Sequence, residues 1–253
     1  MHFVFDLDGT ICFNGRPVAA GIAEALDYLE KRGHRLVFAS ARPVRDMLPV
    51  LPEKFHGRML IGGNGSLAAV EKKIVQVHAF PDEQLRIILQ LIQEYEATYL
   101  IDGEWDYAYT GGPGHPILRN LDPWKVAKNL PLEALESIVK VLILSSRDMN
   151  RLGNELAGLD IVIHRHTKEG ILDLNPPNVH KWSTLEKLGV EKNRFVVFGN
   201  DSNDIPLFRN ALHAVRIGDH AGLGEYAAED IRLDDDVELN IQNKIIELAE
   251  RFG

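Results

Sequence analysis

The chain has 253 residues, 45% of them hydrophobic and 26% charged, which suits one substantial globular core or one core with a smaller module. Its 28 Lys and Arg against 37 Asp and Glu leave a formal charge of −9, a field that repels nucleic acid and anionic lipid. A single cysteine, Cys12, excludes an internal disulfide and a multi-cysteine metal site and reads as a small packing residue.

The chain opens MHFVFDLDGT, where Phe3 to Phe5 reads as a buried strand that delivers Asp6 and Asp8 into a turn closed by Gly9 and Thr10. Carboxylates beside a core strand are costly unless a cation or hydrogen bonds compensate them. The pair therefore reads either as a metal site or as a solvated Asp-x-Asp-Gly turn. The segment lacks a basic leader and no window is long and apolar enough to span a bilayer, so the cytoplasm is the expected location.

Ile22, Ala25, Leu26 and Leu29 then repeat at helical spacing up to Gly33, and Arg35 to Ala39 reads as a second strand. Strand, helix and strand within forty residues form a βαβ unit, whose ligand site lies at the strand C-termini. Ser40 and Arg42 fall at that rim, and Pro43 suits the first turn of a helix over 43–51. A short strand near Met59 to Ile61 ends in the glycine-rich turn GGNGS, and 66–77 reads as a hairpin.

From Pro81 to about Pro177 the pattern changes to α+β. Asp82 is placed to cap a helix with Leu85, Ile88, Leu89 and Ile92 on one face, followed by strands near 98–102 and 106–110. TGGPGHP, Thr110 to Pro116, reads either as a shaped loop with His115 near the cleft or as a mobile surface loop. A strand near 138–145, a helix near 148–158 and strands near 159–165 and 170–174 complete a small sheet with helices on one face. The α/β pattern resumes with a helix over Val179 to Leu188, a strand over Arg194 to Phe198, the acidic loop GNDSND, a helix over Ser202 to Asn210 and a strand over His213 to Ile217. Asp234 to Asp236 supply negative charge at the start of a last helix that buries Ile241, Ile245 and Leu248.

Four segments thus meet at one rim: Asp6 with Asp8, Ser40, Lys181, and the loop with Asp201 and Asp204. In order and spacing they resemble the four motifs of the haloacid dehalogenase superfamily, and the insertion resembles the type IIB cap of its Cof-type phosphatases. The resemblance covers essentially the whole chain. It implies a Rossmann-like α/β core from 1–80 and 178–253 and an α+β cap over 81–177 that recognises the leaving group. It further implies Asp6 as nucleophile and Asp8 as general acid and base, with Ser40 and Lys181 holding phosphoryl oxygens and Arg42, Asn64 and Asn203 lining the site. A magnesium ion, Mg2+, would be held by Asp6, the Asp8 carbonyl and residues among Asn200, Asp201 and Asp204.

These residue types suit phosphoryl transfer, in which a carboxylate nucleophile divides a very slow displacement into two easier steps. By the resemblance, Asp8 favours a phosphatase or a phosphomutase over dehalogenases and cation pumps, which lack an acid there. The family's fourth motif reads Gly-Asp-x-x-Asn-Asp, whereas this chain has Asn200 at the first acidic position. The expected ligand is the Asn200 amide oxygen, with charge from Asp201 and Asp204. The implied function is a magnesium-dependent phosphatase for a small phosphorylated metabolite, with a sugar phosphate as the expected substrate and neither nucleic acid nor membrane as partner. A phosphomutase and a non-catalytic metabolite-binding protein are the alternatives.

Overall fold

The structure is a computed structural model that describes residues 1–166 and 170–253. Five strands come first: β1 (His2–Phe5), β2 (Arg35–Ala39), β3 (Met59–Gly62), β4 (Leu67–Val70) and β5 (Lys73–Val77). The helices α1 (Ala20–Lys31) and α2 (Val44–Met47) lie between them. Next come α3 (Asp82–Glu94), β6 (Thr98–Asp102), β7 (Tyr107–Tyr109), β8 (Lys140–Ser145), α4 (Met149–Leu156), β9 (Val162–His166) and β10 (Ile171–Asn175). The chain ends with α5 (Lys181–Lys187), β11 (Phe195–Gly199), α6 (Ile205–Phe208), β12 (His213–Ile217), α7 (Ala221–Gly224), β13 (Glu229–Ile231) and α8 (Val237–Arg251).

The strands form two sheets, an eight-stranded one in the order β13-β12-β11-β1-β2-β3-β4-β5 and a five-stranded one in the order β7-β6-β8-β10-β9. In the first, β13 through β3 run parallel and the β4–β5 hairpin closes one edge antiparallel. β1 sits at its centre because Phe3, Val4 and Phe5 have no exposed face. Phe3 and Phe5 pack with Ile22, Leu26, Ile245 and Leu248 of α1 and α8, while Val4 packs on the other side with Leu185 of α5 and Leu207 of α6. This three-layer α/β arrangement brings the C-termini of β1, β2, β3 and β11 to one rim, where the loops of a parallel sheet carry ligands.

In the second sheet all neighbours are antiparallel. One face buries Ile101, Val141, Ile143, Leu172 and Leu174 against Ile88 and Ile92 of α3 and Leu152 and Leu156 of α4. The opposite face is partly apolar, with Leu100, Leu142, Leu144 and Ile171 beneath Ile117, Leu118 and Leu121. Its polar members point at the rim of the first sheet. Lys140 Nζ donates to the Ala41 carbonyl at 2.7 Å, Arg45 Nη2 meets Asp102 Oδ1 at 3.0 Å, and Asn64 Nδ2 donates to Asp173 Oδ2 at 3.2 Å.

Several elements differ from the sequence expectation. The helix expected over 43–51 is α for only Val44–Met47 and continues as a 3-10 turn, Leu48–Val50, because Pro49 and Pro52 lack the amide hydrogens a longer helix needs. Asp82 is the first residue of α3, not its cap; Pro81 holds that position and Asp82 contributes its charge to the first turn. The helix expected over 202–210 is a 3-10 turn, Ser202–Asp204, followed by α6, with Pro206 in its first turn. Strand β13 and helix α7 are short and carry no periodic signal. Among the described residues, no helix is long and apolar enough to cross a membrane.

Candidate active site

Asp6 directly follows β1. Its backbone N–H donates to the Phe198 carbonyl at 3.0 Å, so it continues the ladder between two central strands while its side chain turns to the rim. The carboxylate is buried, with Oδ1 accepting from Lys181 Nζ at 2.7 Å and Oδ2 from Thr10 Oγ1 at 2.9 Å. Burial pushes the Asp6 carboxyl up to about 7, and the charges of Asp204 and Asp8 push the same way while Lys181 holds it down.

Lys181 is fully buried at the start of α5 and bridges Asp6 Oδ1 and Asp204 Oδ1, each at 2.7 Å. Burial works to lower its pKa, but Asp204 and Asp6 outweigh it and hold the ammonium above the ordinary lysine range. The other Asp204 oxygen accepts the backbone N–H groups of Asn200 at 3.0 Å and Asp201 at 3.3 Å. Gly199 is required at this point, since a Cβ there would come within 2.6 Å of Asp204 Oδ2.

Asp8 lies at the open side of the rim, with its side chain 46% exposed, and both its oxygens meet Arg42, Nε and Nη2, at 2.6 Å. Ser40 Oγ accepts the Arg42 N–H at 3.1 Å, and the Ser40 carbonyl accepts the Asn64 N–H at 3.0 Å. The motif at the end of β2 thus shapes its own turn and the glycine-rich turn beside it. Asn64 stands at φ 57° and reaches both sheets: Nδ2 donates to Asp173 Oδ2 and to Asn175 Oδ1, while Oδ1 accepts from Asn203 Nδ2 at 3.0 Å.

Of the residues expected around a metal, Asp6, the Asn200 amide head and the Asp8 carbonyl lie together, Asp204 meets Asp6 through Lys181, and Asp201 faces His220. Among the described residues no three His, Cys, Asp or Glu side chains form a metal-ligand cluster. Asp201 Oδ1 caps its own turn through the Ser202 N–H at 2.6 Å and faces His220 Nε2 at 3.5 Å. The Asp8 carboxylate is held by Arg42, while its backbone carbonyl faces the Asn200 amide head. The Asn200 amide head lies 3.1 Å from Asp6 Oδ2, 3.2 Å from the Asp8 carbonyl and 3.2 Å from Thr10 Oγ1. The hydrogen-bond network assigns the nitrogen to this position, because an amide oxygen would face the acceptors Asp6 Oδ2 and the Asp8 carbonyl and a Thr10 hydroxyl whose hydrogen goes to Asp6 at the shorter distance. A small hard cation placed among these groups would reverse that preference and draw the amide oxygen inward. Carboxylate, carbonyl and amide oxygens are the donors that suit magnesium, which keeps waters and substrate oxygens in its remaining positions. The residues present fit the ion.

Cys12 is buried behind the turn and burial pushes its thiol up, as for a packing residue. His115, expected at the cleft, caps the short 3-10 turn Pro116–Arg119 by accepting the Ile117 N–H on Nδ1 at 3.2 Å. Sequence reasoning did not single out Thr10, Lys140, His164 or Asp173. For Asp173 a signal exists, a lone charge between the leucines of the strand ILDLN.

Comparison with known proteins places these observations in a family. The MG265 protein of Mycoplasma genitalium, which carries a provisional phosphatase name, is 21% identical over 85% of this chain and 86% of its own. A haloacid dehalogenase-like hydrolase from Bacteroides thetaiotaomicron superposes with a TM-score of 0.78 at 18% identity, covering 100% of this chain and 99% of that one. The subclass IIB sugar phosphatase BT4131 superposes with a TM-score of 0.78 at 16% identity, covering 100% and 98%. The family model for haloacid dehalogenase-like hydrolases matches residues 3–222, and the chain belongs to that family.

Proposed function

We propose that the protein is a magnesium-dependent phosphatase that hydrolyses a small phosphorylated metabolite, a sugar phosphate being the best fit, through an aspartyl phosphate on Asp6. The observation that carries this reading is the placement of Asp6: buried at the end of the central strand, fixed on one oxygen by Lys181 and on the other by Thr10, with Asp8 two residues on at the open side. Such a carboxylate is oriented and partly desolvated before substrate arrives, the condition in which positioning contributes most.

In this reading an Asp6 oxygen attacks phosphorus as the bond to the leaving alkoxide breaks. Asp8, released from Arg42 and protonated from solvent, turns to the leaving oxygen and gives that proton to the alkoxide. Water then attacks the aspartyl phosphate, Asp8 takes the proton, and the bond from phosphorus to the Asp6 oxygen breaks to free phosphate. Lys181 and Ser40 hold phosphoryl oxygens, and Asn64 and Asn203 lie beside them. Magnesium, held by Asp6, the Asp8 carbonyl and the Asn200 amide oxygen, would supply charge neutralisation at the phosphoryl group. Asp204 acts through Lys181 and the loop backbone. Residues 81–177 form the cap, which excludes water and contacts the leaving group, while 1–80 and 178–253 form the catalytic core.

The test is phosphate release from a panel of phosphorylated sugars and cofactors, with and without magnesium, for wild type and Asp6→Asn. The expected result is metal-dependent release that falls in the variant by a factor on the order of 1,000 or more, as for loss of a covalent nucleophile. Equal release by Asp6→Asn would overturn the assignment.

A further inference from the structure

Where β9 and β10 lie over the rim, a small cavity is bordered by Asn64, His164, His166, Asp173, Asp201 and Asn203. The amide orientations along its wall are fixed in series. Asn175 Nδ2 donates to the Gly63 carbonyl, so its oxygen faces Asn64 Nδ2. The Asn64 oxygen then faces Asn203 Nδ2, which leaves Asn203 Oδ1 as the free end of the relay. That atom is buried, and among the described residues no donor reaches it. On the opposite wall Asp173 is 1% exposed, and its Oδ2 takes Lys140 Nζ at 3.0 Å and Asn64 Nδ2 at 3.2 Å. Its Oδ1 is likewise buried without a donor among the described residues.

Two desolvated acceptors bordering one cavity are costly unless something donates to them. We infer that Asp173 and Asn203 determine specificity by reading hydrogen-bond donors on the leaving alcohol: hydroxyls of a polyol or sugar donate to Asp173 Oδ1 and Asn203 Oδ1. The inference rests on the phosphatase reading and adds a restriction to it. A leaving group with a second phosphate or a carboxylate at this position would meet two acceptors, one of them charged, and is rejected. The nearby cations do not rescue it: Lys140 is taken by Asp173 and the Ala41 carbonyl, Arg165, which also borders the cavity, donates through Nη2 to the Gly153 carbonyl, and His166 Nε2 faces Asp173 Oδ2 at 3.6 Å. Burial works to raise the Asp173 carboxyl, but Lys140 and the adjacent histidines outweigh it and hold it below the ordinary range, so the acceptor keeps its charge. Burial pulls the His164 imidazole down, so it adds little positive charge to the wall.

The experiment compares kcat/KM for acetyl phosphate, a set of sugar phosphates, their deoxy analogues and a phosphoester carrying a carboxylate, in wild type, Asp173→Asn and Asn203→Ala. Acetyl phosphate reports phosphoryl transfer without leaving-group hydroxyls. For wild type, the best sugar phosphate exceeds at least one of its deoxy analogues by about tenfold or more, and the carboxylate ester is poor. Asp173→Asn keeps the side-chain size and lowers the ratio of sugar phosphate to acetyl phosphate by about tenfold or more, chiefly through KM, while raising the relative rate of the carboxylate ester. Asn203→Ala leaves the Lys140–Asp173 pair intact and shifts the same ratio downward, which keeps the question answerable if Asp173→Asn does not fold. Equal loss for every ester, or deoxy analogues turned over as well as their parents, overturns the inference and leaves the phosphatase reading standing. No turnover of acetyl phosphate or any ester by wild type overturns both.

Discussion

Asn200 marks the point where this chain departs from the motif it resembles, and its neighbours indicate the consequence. A carboxylate at this position would face Asp6 Oδ2 and the Asp8 carbonyl without a donor, whereas the amide donates to both. That network stabilises the site as it stands, and on the proposed reading a magnesium ion there would meet one negative charge fewer. Asn200→Asp is expected to raise magnesium affinity by about tenfold and to lower the melting temperature measured in chelator, since a third carboxylate joins Asp6 and Asp204 around one ammonium. Isothermal titration and thermal melts check the two effects separately. Unchanged affinity would remove Asn200 from the ligand set. Lys181 is the other decisive side chain. Lys181→Met leaves two buried carboxylates facing each other, so a loss of about 3–5 kcal/mol in denaturant unfolding is expected together with loss of turnover.

At the scale of elements, the contact between α2 and β6 holds the second sheet over the rim. Arg45 is buried, with Nη2 on Asp46 and Asp102 and Nη1 on the Trp105 carbonyl, and its guanidinium lies 5.0 Å from the centre of the Tyr107 ring. Asp46 in turn accepts the Asp122 N–H at 2.9 Å. Arg45→Leu removes the cation and strands Asp46 and Asp102, so cleavage by a nonspecific protease between residues 81 and 177 is expected to quicken by about tenfold or more. An unchanged digestion rate would show that other contacts hold the sheet. Sequence patterns located most elements but not their fine structure. The β4–β5 hairpin turns on Glu71 and Lys72, both at positive φ, where Asn-Gly would have announced the turn. Proline at 49 and 206 shortened two helices whose apolar spacing alone read longer.

For the whole molecule, the second sheet lies over the C-terminal rim of the first, with the site between them. On the proposed reading, that enclosure limits the size of what can enter. A phosphopeptide or phosphoprotein is expected to be hydrolysed with kcat/KM at least about a hundredfold below the best small ester, measured as phosphate release at equal concentration. Comparable rates would mean that the enclosure opens widely during turnover.

The residues at the ends of β1, β2 and β11 and the start of α5 were legible because a parallel sheet forces those loops to one edge whatever else the chain does. Apolar runs and helical spacing carry that information locally, and the resemblance to a family ordered it. The partners of each side chain were not legible. That Arg42 holds Asp8, that Asp204 holds its own loop while Asp201 faces His220, and that His115 caps a turn depend on contacts between residues far apart in the chain. The same is true of Asp173, which joins the site only because β10 crosses above Asn64. Local pattern determines which edge carries the chemistry. Only tertiary packing, by deciding which buried polar group finds a partner and which is left open, determines how the site uses it.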